Sequence, residues 1–573
     1  MFLIDKLLLV VALLMILGIL SSKFSARLGL PVLVLFLGLG MLAGSEGVGR
    51  IPFENYQLAH AIGTVALAFI LFDGGLRSPI DSLRVAWKPS AVLATLGVLV
   101  TSVATGLVAM YVLDLSLLEG LLLGSIEGST DAAAVFGLLR SAGLRLRRRL
   151  GATLEIESGA NDPMAIFLTV GLIQVLTGDT SLGPGLALLF AQQMGVGLVV
   201  GAGIGKLALL LINRINLSTA GLYPVLTASC GVLAFGLAAV LQGSGFLAIY
   251  VAGLVLGNSK LVFQRGTLAF HDGIAWAGQI GMFVVLGLLS SPRALLQVSG
   301  PALLIAAALI LLARPLAVVP LLLPFRFSWR ELTLVSWVGL KGAVPIILAT
   351  YPLISGLTTG LLIFNVVFFV VLLSAMVQGG TLPWVARLLK LEEAPEPEPP
   401  LSLEIMSLKD VDAEIVDYPV HDDSRAARCS LRELALPEGA VVAMIARDKS
   451  LIPPRGSTEI LSGDHVFIVV NEESRVPVSR VFTRTRSNQH VPISTEFPIR
   501  GTATAGAVAA TYGIETGERP EATLEQLIRA RLPEAAAGDT VDVGRMHLRV
   551  REVRDGRILS VGLSVAAEAP AAP

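Results

Sequence analysis

The first two thirds of the chain consist of apolar segments separated by short polar loops. About 20 apolar residues cross a bilayer as a helix, and thirteen segments approach or exceed this length before residue 390. They run from 6 to 20, 29 to 44, 57 to 72, 89 to 112, 117 to 139, 152 to 176, 183 to 212, 219 to 241, 244 to 258, 272 to 290, 300 to 323, 329 to 350 and 356 to 389. The pattern predicts an α-helical polytopic membrane protein with thirteen transmembrane helices.

The Lys and Arg residues of the loops give an independent test of this count, because cytoplasmic loops are enriched in both. Loops that follow odd-numbered segments contain fifteen of these residues when Arg330 at the edge of segment 12 is included, whereas loops that follow even-numbered segments contain only Arg50 and Arg293. This alternation predicts that the N-terminus lies outside the cell and that everything after residue 390 lies in the cytoplasm.

An odd number of crossings has a structural consequence. Segments 1 to 6 and 8 to 13 would form two six-helix halves, and segment 7 between them would invert the second half, as in many secondary transporters. Segment 5 is interrupted by the polar run Gly128-Ser-Thr-Asp131, and segment 12 by Gly339-Leu-Lys-Gly342. Crossed broken helices in corresponding positions of two inverted repeats mark the binding site of a transporter.

Composition agrees with a membrane location. Charged residues make up 15% of the chain and hydrophobic residues 54%, against about 25% charged in soluble proteins. The net charge of -1 gives no reason to expect a nucleic-acid partner, and the two cysteines form neither a disulfide framework nor a metal site. The expected surroundings are membrane lipid and cytoplasm.

Asp162 is the strongest candidate for binding a cation. It lies within segment 6, where an ionisable group is costly and marks an ion or proton pathway. Ser158 is four residues earlier, on the same helix face, and Pro163 leaves the carbonyl of Gly159 without its helical donor. One carboxylate, one hydroxyl and one free carbonyl could therefore bind a small cation. The alternative is a structural carboxylate at a helix kink.

Glu157 is expected to have a different role from Asp162, because it lies about 140° away around the helix. Arg314 in segment 11 is its natural partner, since unpaired charges are not left in hydrocarbon. We expect an architectural ion pair, and the alternative is two separately solvated charges.

The breaks in segments 5 and 12 supply further candidates. A backbone carbonyl at Thr130 could coordinate the cation, and Asp131 could either assist through water or compensate the positive end of the following half-helix. Lys341 is expected to compensate the C-terminal ends of the half-helices in segment 12. Asp73, at the end of segment 3, is a candidate for the ion path or a plain helix-end carboxylate.

These residues resemble a known family, the NhaP-type cation:proton antiporters, and in particular its potassium/proton members with a cytoplasmic tail. The resemblance covers essentially the whole chain and is most specific at Gly128–Phe136, Leu154–Met164 and Trp337–Pro345. It implies a transporter rather than an enzyme, a homodimer, and a location in the bacterial inner membrane.

The resemblance also implies roles for individual residues. Asp162 would be the carboxylate that binds cation and proton, next to Asn161 of the family's Asn-Asp pair. Ser158 and the Thr130 carbonyl would be ligands of K+ or Na+, and Glu157 with Arg314 would be a structural ion pair.

Two positions depart from what the family leads us to expect. Glu127 stands where an apolar residue is expected, so it adds an ionisable group near Asp131 that could change proton coupling or pair with a nearby cation. Asp73 stands where many relatives have Glu, which weakens its assignment to the ion path.

The tail has its own organisation. Residues 391–400 form a Pro/Glu linker that is expected to be stiff and extended. Residues 401–485 resemble a TrkA-C regulatory domain, and residues 490–567 resemble the small α+β accessory domain of transporter-associated (CorC/HlyC-like) proteins. No cofactor is expected. A small regulatory ligand remains open, as does a purely dimerising role for both modules.

Three other functions compete with cation exchange. A channel would need a continuous pore lined by rings of carbonyls or charges. An intramembrane enzyme would need a metal cluster or a nucleophile with a base, and transport of another solute would need a larger polar cavity. The residues therefore predict a proton-driven exchanger of monovalent cations, and the resemblance implies cytoplasmic K+, with Na+ as the alternative, in exchange for external H+. We expect electroneutral exchange, because one buried carboxylate would carry either a proton or a cation.

Overall fold

The computed structural model describes residues 3–28, 31–178, 183–393, 402–404, 414–447, 450–482, 496–512, 519–544, 546–554 and 556–565. These residues divide into two compact units, Met1–Pro395 and Glu396–Pro573. The division falls in the predicted linker, of which residues 394–400 lie outside the described part of the chain.

The first unit is helical up to residue 388. Its helices in chain order are α1 (Leu3–Leu28), α2 (Val32–Ala43), α3 (Tyr56–Arg77), α4 (Ile80–Val92), α5 (Val98–Leu113), α6 (Leu117–Ile126), α7 (Ala132–Ser141), α8 (Arg148–Leu176), α9 (Pro184–Arg214), α10 (Leu222–Val240), α11 (Gly245–Gly257), α12 (Gln264–Leu289), α13 (Pro292–Ala308), α14 (Arg314–Leu322), α15 (Trp329–Trp337), α16 (Ala343–Leu348), α17 (Thr350–Ile354), α18 (Gly360–Ser374) and α19 (Gly380–Leu388). Three π-helical turns, at Leu93–Gly97, Leu309–Ala313 and Ala375–Gly379, make α4–α5, α13–α14 and α18–α19 nearly continuous.

Eight helices in the described residues are long and apolar enough to cross a membrane. They are Tyr56–Arg77, Arg84–Leu113, Arg148–Leu176, Gly185–Arg214, Leu222–Val240, Gln264–Leu289, Pro292–Phe325 and Gly360–Leu388. Shorter apolar helices are also present, among them both halves of segment 5, Leu117–Ile126 and Ala132–Ser141, and the second half of segment 12, Ala343–Ile354. Segment 3 is longer than the sequence indicated, because its helix continues through Asp73 to Arg77.

Strands β1 (Arg145–Leu146) and β2 (Glu392–Glu393) form a short antiparallel pair in the first unit. The pair joins the loop after α7 to the chain that follows α19. These two connections therefore lie at the same end of the helical unit.

Glycines let several helices approach until their backbones touch. Where α2 crosses α12, a Cβ on Gly40 would lie 2.2 Å from the carbonyl oxygen of Val284 and 2.8 Å from the Cα of Gly287. Where α5 crosses α6, a Cβ on Gly124 would lie 2.0 Å from the carbonyl oxygen of Ser102. Helices in a membrane usually associate through close packing at small residues. The hydrophobic effect does not drive this association, because lipid tails are as apolar as the helix surfaces.

The described residues of the second unit form two antiparallel sheets and three helices. The strands of the first sheet are β3 (Ser402–Glu404), β4 (Glu414–Pro419), β5 (Val441–Arg447), β6 (Ser450–Ile452) and β7 (His465–Val470), and their order across the sheet is β3-β4-β7-β5-β6. The strands of the second sheet are β8 (Phe497–Arg500), β9 (Thr540–Val543), β10 (Met546–Arg554) and β11 (Arg557–Val565), and their order is β8-β11-β10-β9. The helices are α20 (Glu472–Phe482), α21 (Ala505–Tyr512) and α22 (Leu524–Arg531).

The two tail modules share one hydrophobic core. The Tyr512 hydroxyl donates to the Ala435 carbonyl at 2.7 Å, and the Glu438 amide donates to the Pro498 carbonyl at 2.8 Å. The two modules are therefore packed against each other.

Within the first module, Asp464 accepts two hydrogen bonds from Arg447 at 2.7 and 2.8 Å. Burial alone would raise the pKa of Asp464. Hydrogen bonds from the Arg447 guanidinium and the Leu461 amide outweigh burial and hold the pKa below its usual value.

The crossing of α2 and α12 gives a test of the packing. Gly40→Ala should lower the melting temperature of the detergent-solubilised protein, because its methyl group would overlap the α12 backbone, and overpacking of this kind costs about 1–3 kcal/mol. Gly38→Ala is the matched control on the same helix, since nothing lies within 4 Å of its added Cβ. Equal melting temperatures for the two variants would contradict the close approach of these helices.

Candidate cation site at two crossing helix breaks

The two interrupted segments meet at their breaks. Residues 127–131 separate α6 from α7, and residues 338–342 separate α15 from α16. The Asp131 amide donates a hydrogen bond to the Leu340 carbonyl at 2.8 Å, so the backbone of one break is joined directly to the other. Each break thus supplies a hydrogen-bond partner for a backbone group of the other break. Irregular backbone within a membrane needs such partners, because no water is present to supply them.

Lys341 lies at this crossing and is 1% exposed. Its ammonium group donates to the carbonyl of Ser129 at 2.9 Å and also to the carbonyl of Glu127. These carbonyls follow the C-terminal end of α6, in segment 5. Lys341 was expected next to half-helix C-terminal ends of segment 12, whereas its contacts are with the half-helix C-terminal end in segment 5. Because the breaks cross, the lysine of one reaches the free carbonyls of the other.

Asp131 stabilises the opposite helix end. Its Oδ1 accepts a hydrogen bond from the Ala134 amide at 3.0 Å and so caps the N-terminus of α7. Its Oδ2 lies against Gly342, where a Cβ would approach to 2.3 Å. The absence of a side chain at Gly342 leaves room for the carboxylate. Of the two roles considered for Asp131, the contacts favour compensation of the helix dipole.

Asp162 lies on α8 beside the break in segment 5 and is 6% exposed. Its Oδ1 accepts a hydrogen bond from the Ser129 hydroxyl at 2.5 Å. The helix continues through Pro163 from Arg148 to Leu176. The sequence analysis did not identify Ser129 as a partner of Asp162. The one sequence feature that could have indicated it is its position in the polar run next to Thr130.

Ser158 contacts the break in segment 5 directly. Its hydroxyl donates to the Thr130 carbonyl at 2.8 Å and accepts from the Ala132 amide at 2.9 Å. It therefore joins α8 to the last part of the break and to the first residue of α7. The hydroxyl and the Thr130 carbonyl, which were expected to be cation ligands, are thus adjacent.

Asn161 completes the contact between α8 and the break. Its amide nitrogen donates to the Thr130 hydroxyl at 2.6 Å, and the side chain is fully buried. Its Oδ1 has no hydrogen-bond donor among the described residues. A buried acceptor oxygen without a donor destabilises the fold. A bound cation would supply the missing partner. The site therefore combines carboxylate, amide, hydroxyl and carbonyl oxygens, which are ligands for hard cations.

Glu157 and Arg314 lie close together in the interior. Arg314 Nη2 is 2.7 Å from Glu157 Oε1, and both side chains are at most 3% exposed. The aliphatic part of Arg314 also lies next to Gly339, whose Cβ would approach Arg314 Cγ to 3.4 Å. The pair thus joins α8 to α14 and to the break in segment 12.

Glu127 is fully buried directly after α6. Neither of its carboxylate oxygens has a hydrogen-bond donor among the described residues, and Lys341 is the cation that acts on it electrostatically. Lys341 is thus near Glu127, and its ammonium group donates to the backbone carbonyl of Glu127.

Asp73 lies in the last turn of α3, away from the breaks. Both of its carboxylate oxygens accept from Arg77 Nε at 2.9 Å. Arg77 also approaches Asp272 Oδ1 to 3.1 Å and donates to the Leu268 carbonyl at 3.3 Å. The four-residue spacing of Asp73 and Arg77 is a helical ion-pair signal that the sequence analysis did not use.

Fold and site together define a helical membrane transporter with a buried carboxylate where two broken helices cross. Comparison with known proteins identifies the family: residues 9–388 match the model of the transmembrane sodium/hydrogen exchanger family, and residues 415–475 match the TrkA-C domain. The chain belongs to the sodium/hydrogen exchanger family. The predicted resemblance and the prediction that the protein is not an enzyme are confirmed by this membership.

Relatives are similar over nearly their full length. A protein of Shewanella sp. (strain ANA-3) named K(+)/H(+) antiporter NhaP2 is 41% identical over 572 residues, 99% of each chain. The K(+)/H(+) antiporter NhaP of Alkalimonas amylolytica is 39% identical, over 97% of this chain and 98% of that one. Among solved structures, the sodium proton antiporter MjNhaP1 from Methanocaldococcus jannaschii at pH 8 superposes with a TM-score of 0.60 and 25% identity, over 67% of this chain and 99% of that one. The chain thus has the fold of a helical polytopic antiporter.

The buried ion pair gives a prediction about stability. Arg314→Ala should lower the free energy of unfolding by about 3–5 kcal/mol, because it leaves Glu157 as an uncompensated buried charge. Thermal unfolding in detergent measures the loss, and Arg330→Ala, which removes an exposed arginine, serves as the control. The double variant with Glu157→Leu and Arg314→Leu should recover part of the stability. An Arg314→Ala protein that is as stable as wild type but inactive would instead place Arg314 in the transport path.

Proposed function

We propose that the protein exchanges cytoplasmic K+ for external H+, with Na+ as an alternative cargo, by alternating access at Asp162. The contact between Asp162 and the Ser129 hydroxyl at the crossing breaks is the main support. A carboxylate can hold either a proton or a cation, and its partner here is a hydroxyl, so no salt bridge has to break when one replaces the other. K+ is favoured because relatives similar over their full length are named K(+)/H(+) antiporters.

The cation is bound by oxygens that converge from α8 and from the break. Asp162 supplies the charge, the amide oxygen of Asn161 and the hydroxyl of Ser158 supply neutral ligands, and the carbonyl of Thr130 supplies the fourth oxygen. Asp131 assists through water while it caps α7. Removal of the cation leaves Asp162 to take up a proton, so that both loaded forms of the site have the same charge.

The architecture that supports this cycle has thirteen crossings in two inverted six-helix repeats. The N-terminus lies outside, and the tail lies in the cytoplasm of a bacterial inner-membrane protein. The β1–β2 pair supports this topology, since it places the loop after segment 5 and the end of segment 13 on one side. In a homodimer, one helical domain that contains both breaks would move against a fixed dimer domain and expose Asp162 to each side in turn.

The tail is a regulatory unit in this proposal. Every ligand named above precedes residue 390, so the tail is not needed for the exchange chemistry. Its TrkA-C module and accessory module share one core, and binding of a small cytoplasmic ligand would therefore act on both. Exchange regulated in this way serves cation, pH or cell-volume homeostasis.

The assignment of Asp162 is tested by a single isosteric change. Asp162→Asn should abolish K+-dependent proton movement in proteoliposomes, because an amide can neither lose a proton nor supply the charge that binds the cation. Asp114→Asn is the matched control, since Asp114 is exposed in a turn whose left-handed conformation Asn also tolerates. Wild-type flux in a correctly inserted Asp162→Asn protein would refute the proposal.

Competition at one carboxylate makes the exchange electroneutral. Cation flux in proteoliposomes whose potential is clamped by an untransported ion should be the same at every potential, whereas each net charge moved would add about 2.3 kcal/mol per 100 mV. Glu127 is the buried carboxylate that could change this balance. Potential-dependent flux that disappears in Glu127→Gln would overturn single-site competition and identify Glu127 as a second carrier.

A further inference from the structure

A second carboxylate lies on the same face of α8 as Asp162. Glu155 precedes Asp162 by seven residues, which is almost two helical turns, so the two side chains point in nearly the same direction about 10 Å apart along the axis. Glu155 is closer to the end of α8 that begins at Arg148 and is partly exposed. Glu155 is not among the ligands proposed for the cation at Asp162.

Glu155 belongs to a chain of polar side chains from three helices. The hydroxyl of Ser78, directly after α3, is 3.3 Å from Glu155 Oε1 and can donate to it. The Tyr250 hydroxyl of α11 can in turn donate to the Ser78 hydroxyl at 3.5 Å. Ser78 also has the Gly74 carbonyl as a second acceptor at 2.9 Å. Its single proton can therefore turn away from Glu155 and leave an oxygen free to bind a cation.

Tyr250 lies between the two carboxylates. A Cβ on Gly159 would be 2.8 Å from the Tyr250 hydroxyl oxygen and 2.9 Å from the ring carbon that bears it. The hydroxyl thus rests on the α8 backbone at Gly159, which lies four residues after Glu155 and three before Asp162. Only a glycine at this position leaves space for it.

The carboxylates of Glu155 and Asp73 have different hydrogen-bond partners. Both oxygens of Asp73 are held by Arg77 at 2.9 Å, so a passing cation would have to displace a guanidinium. Glu155 accepts a hydrogen bond from the neutral hydroxyl of Ser78, and Arg140 acts on it electrostatically. Glu155 is therefore the better candidate for attracting a cation.

We propose that Glu155, with the hydroxyls of Ser78 and Tyr250, forms a second cation station on the cytoplasmic approach to Asp162. Tyr250 separates this station from the Asp162 site, and a cation passes from one to the other along a single face of α8. The station concentrates K+ near the entrance and determines how well the inward-facing protein captures it. This inference rests on the function and orientation proposed above.

The test compares the two faces of the membrane. Glu155→Gln should raise the KM for K+ on the cytoplasmic face, measured in everted vesicles, between about twofold and about fifteenfold. This is the range expected when a charge about 10 Å from a cation is removed at effective dielectric constants between those of water and of a protein surface. The KM on the external face, measured in right-side-out vesicles, should stay the same, and the maximal rate should change little. Glu155→Asp should recover part of the cytoplasmic KM.

Glu393→Gln is the matched control. Glu393 is an exposed carboxylate in β2, which pairs with the loop just before α8, so it lies at the same end of the helical unit. Its removal should leave the cytoplasmic KM at the wild-type value. An equal change in Glu393→Gln would mean that surface charge alone attracts the cation, and this result would overturn a specific station.

A double-mutant cycle tests whether the three groups act together. Tyr250→Phe should raise the cytoplasmic KM less than Glu155→Gln does, and the double variant should match Glu155→Gln alone, since residues that share one interaction are not additive. Effects that multiply would refute a common station.

The remaining outcomes separate this inference from the proposed function. An unchanged cytoplasmic KM, or equal changes on both faces, in Glu155→Gln would overturn the station while Asp162→Asn still abolishes exchange. Absence of cation-dependent proton movement in the wild-type protein would refute the proposed function and the station with it.

Discussion

The site depends on the contact of the Lys341 ammonium group with the carbonyls of Glu127 and Ser129. Ending α6 inside the membrane leaves carbonyl groups without donors, and each such group costs several kcal/mol in hydrocarbon. Lysine brings three donors and a positive charge to the negative end of the helix dipole. The two breaks are then joined through the Asp131 amide and the Leu340 carbonyl, so neither can move without the other.

The carboxylates near the crossing breaks differ in their partners. Asp131 is engaged by the amide at the start of α7, and Glu157 is engaged by Arg314. Asp162 is instead hydrogen bonded to the Ser129 hydroxyl. In the function proposed above, carboxylates that are fixed by a helix end or by arginine maintain the structure, and the carboxylate that is bound to a neutral hydroxyl exchanges its counter-ion. This proposed division of roles follows from the partner of each carboxylate.

The polar elements are held together by close helix packing. Gly124 allows α6 to lie on the backbone of α5, Gly342 leaves space for Asp131, and Gly159 leaves space for Tyr250. In each case a missing side chain lets a backbone or a polar group approach. A transporter needs such contacts, because oxygens that bind a small cation must meet at short distances while the lipid-facing surface stays apolar.

The sequence by itself determined the helical membrane fold, since only long apolar segments satisfy the backbone in a bilayer. It also indicated the two breaks, Asp162 as the buried carboxylate, and Arg314 as the cation available to Glu157. Only the tertiary structure decided which break Lys341 serves, that Ser129 and not Ser158 hydrogen bonds to Asp162, and that Tyr250 lies over Gly159. Periodicity fixes the face on which a side chain lies. The partner on that face depends on how distant helices cross, and spacing along one segment does not encode that crossing.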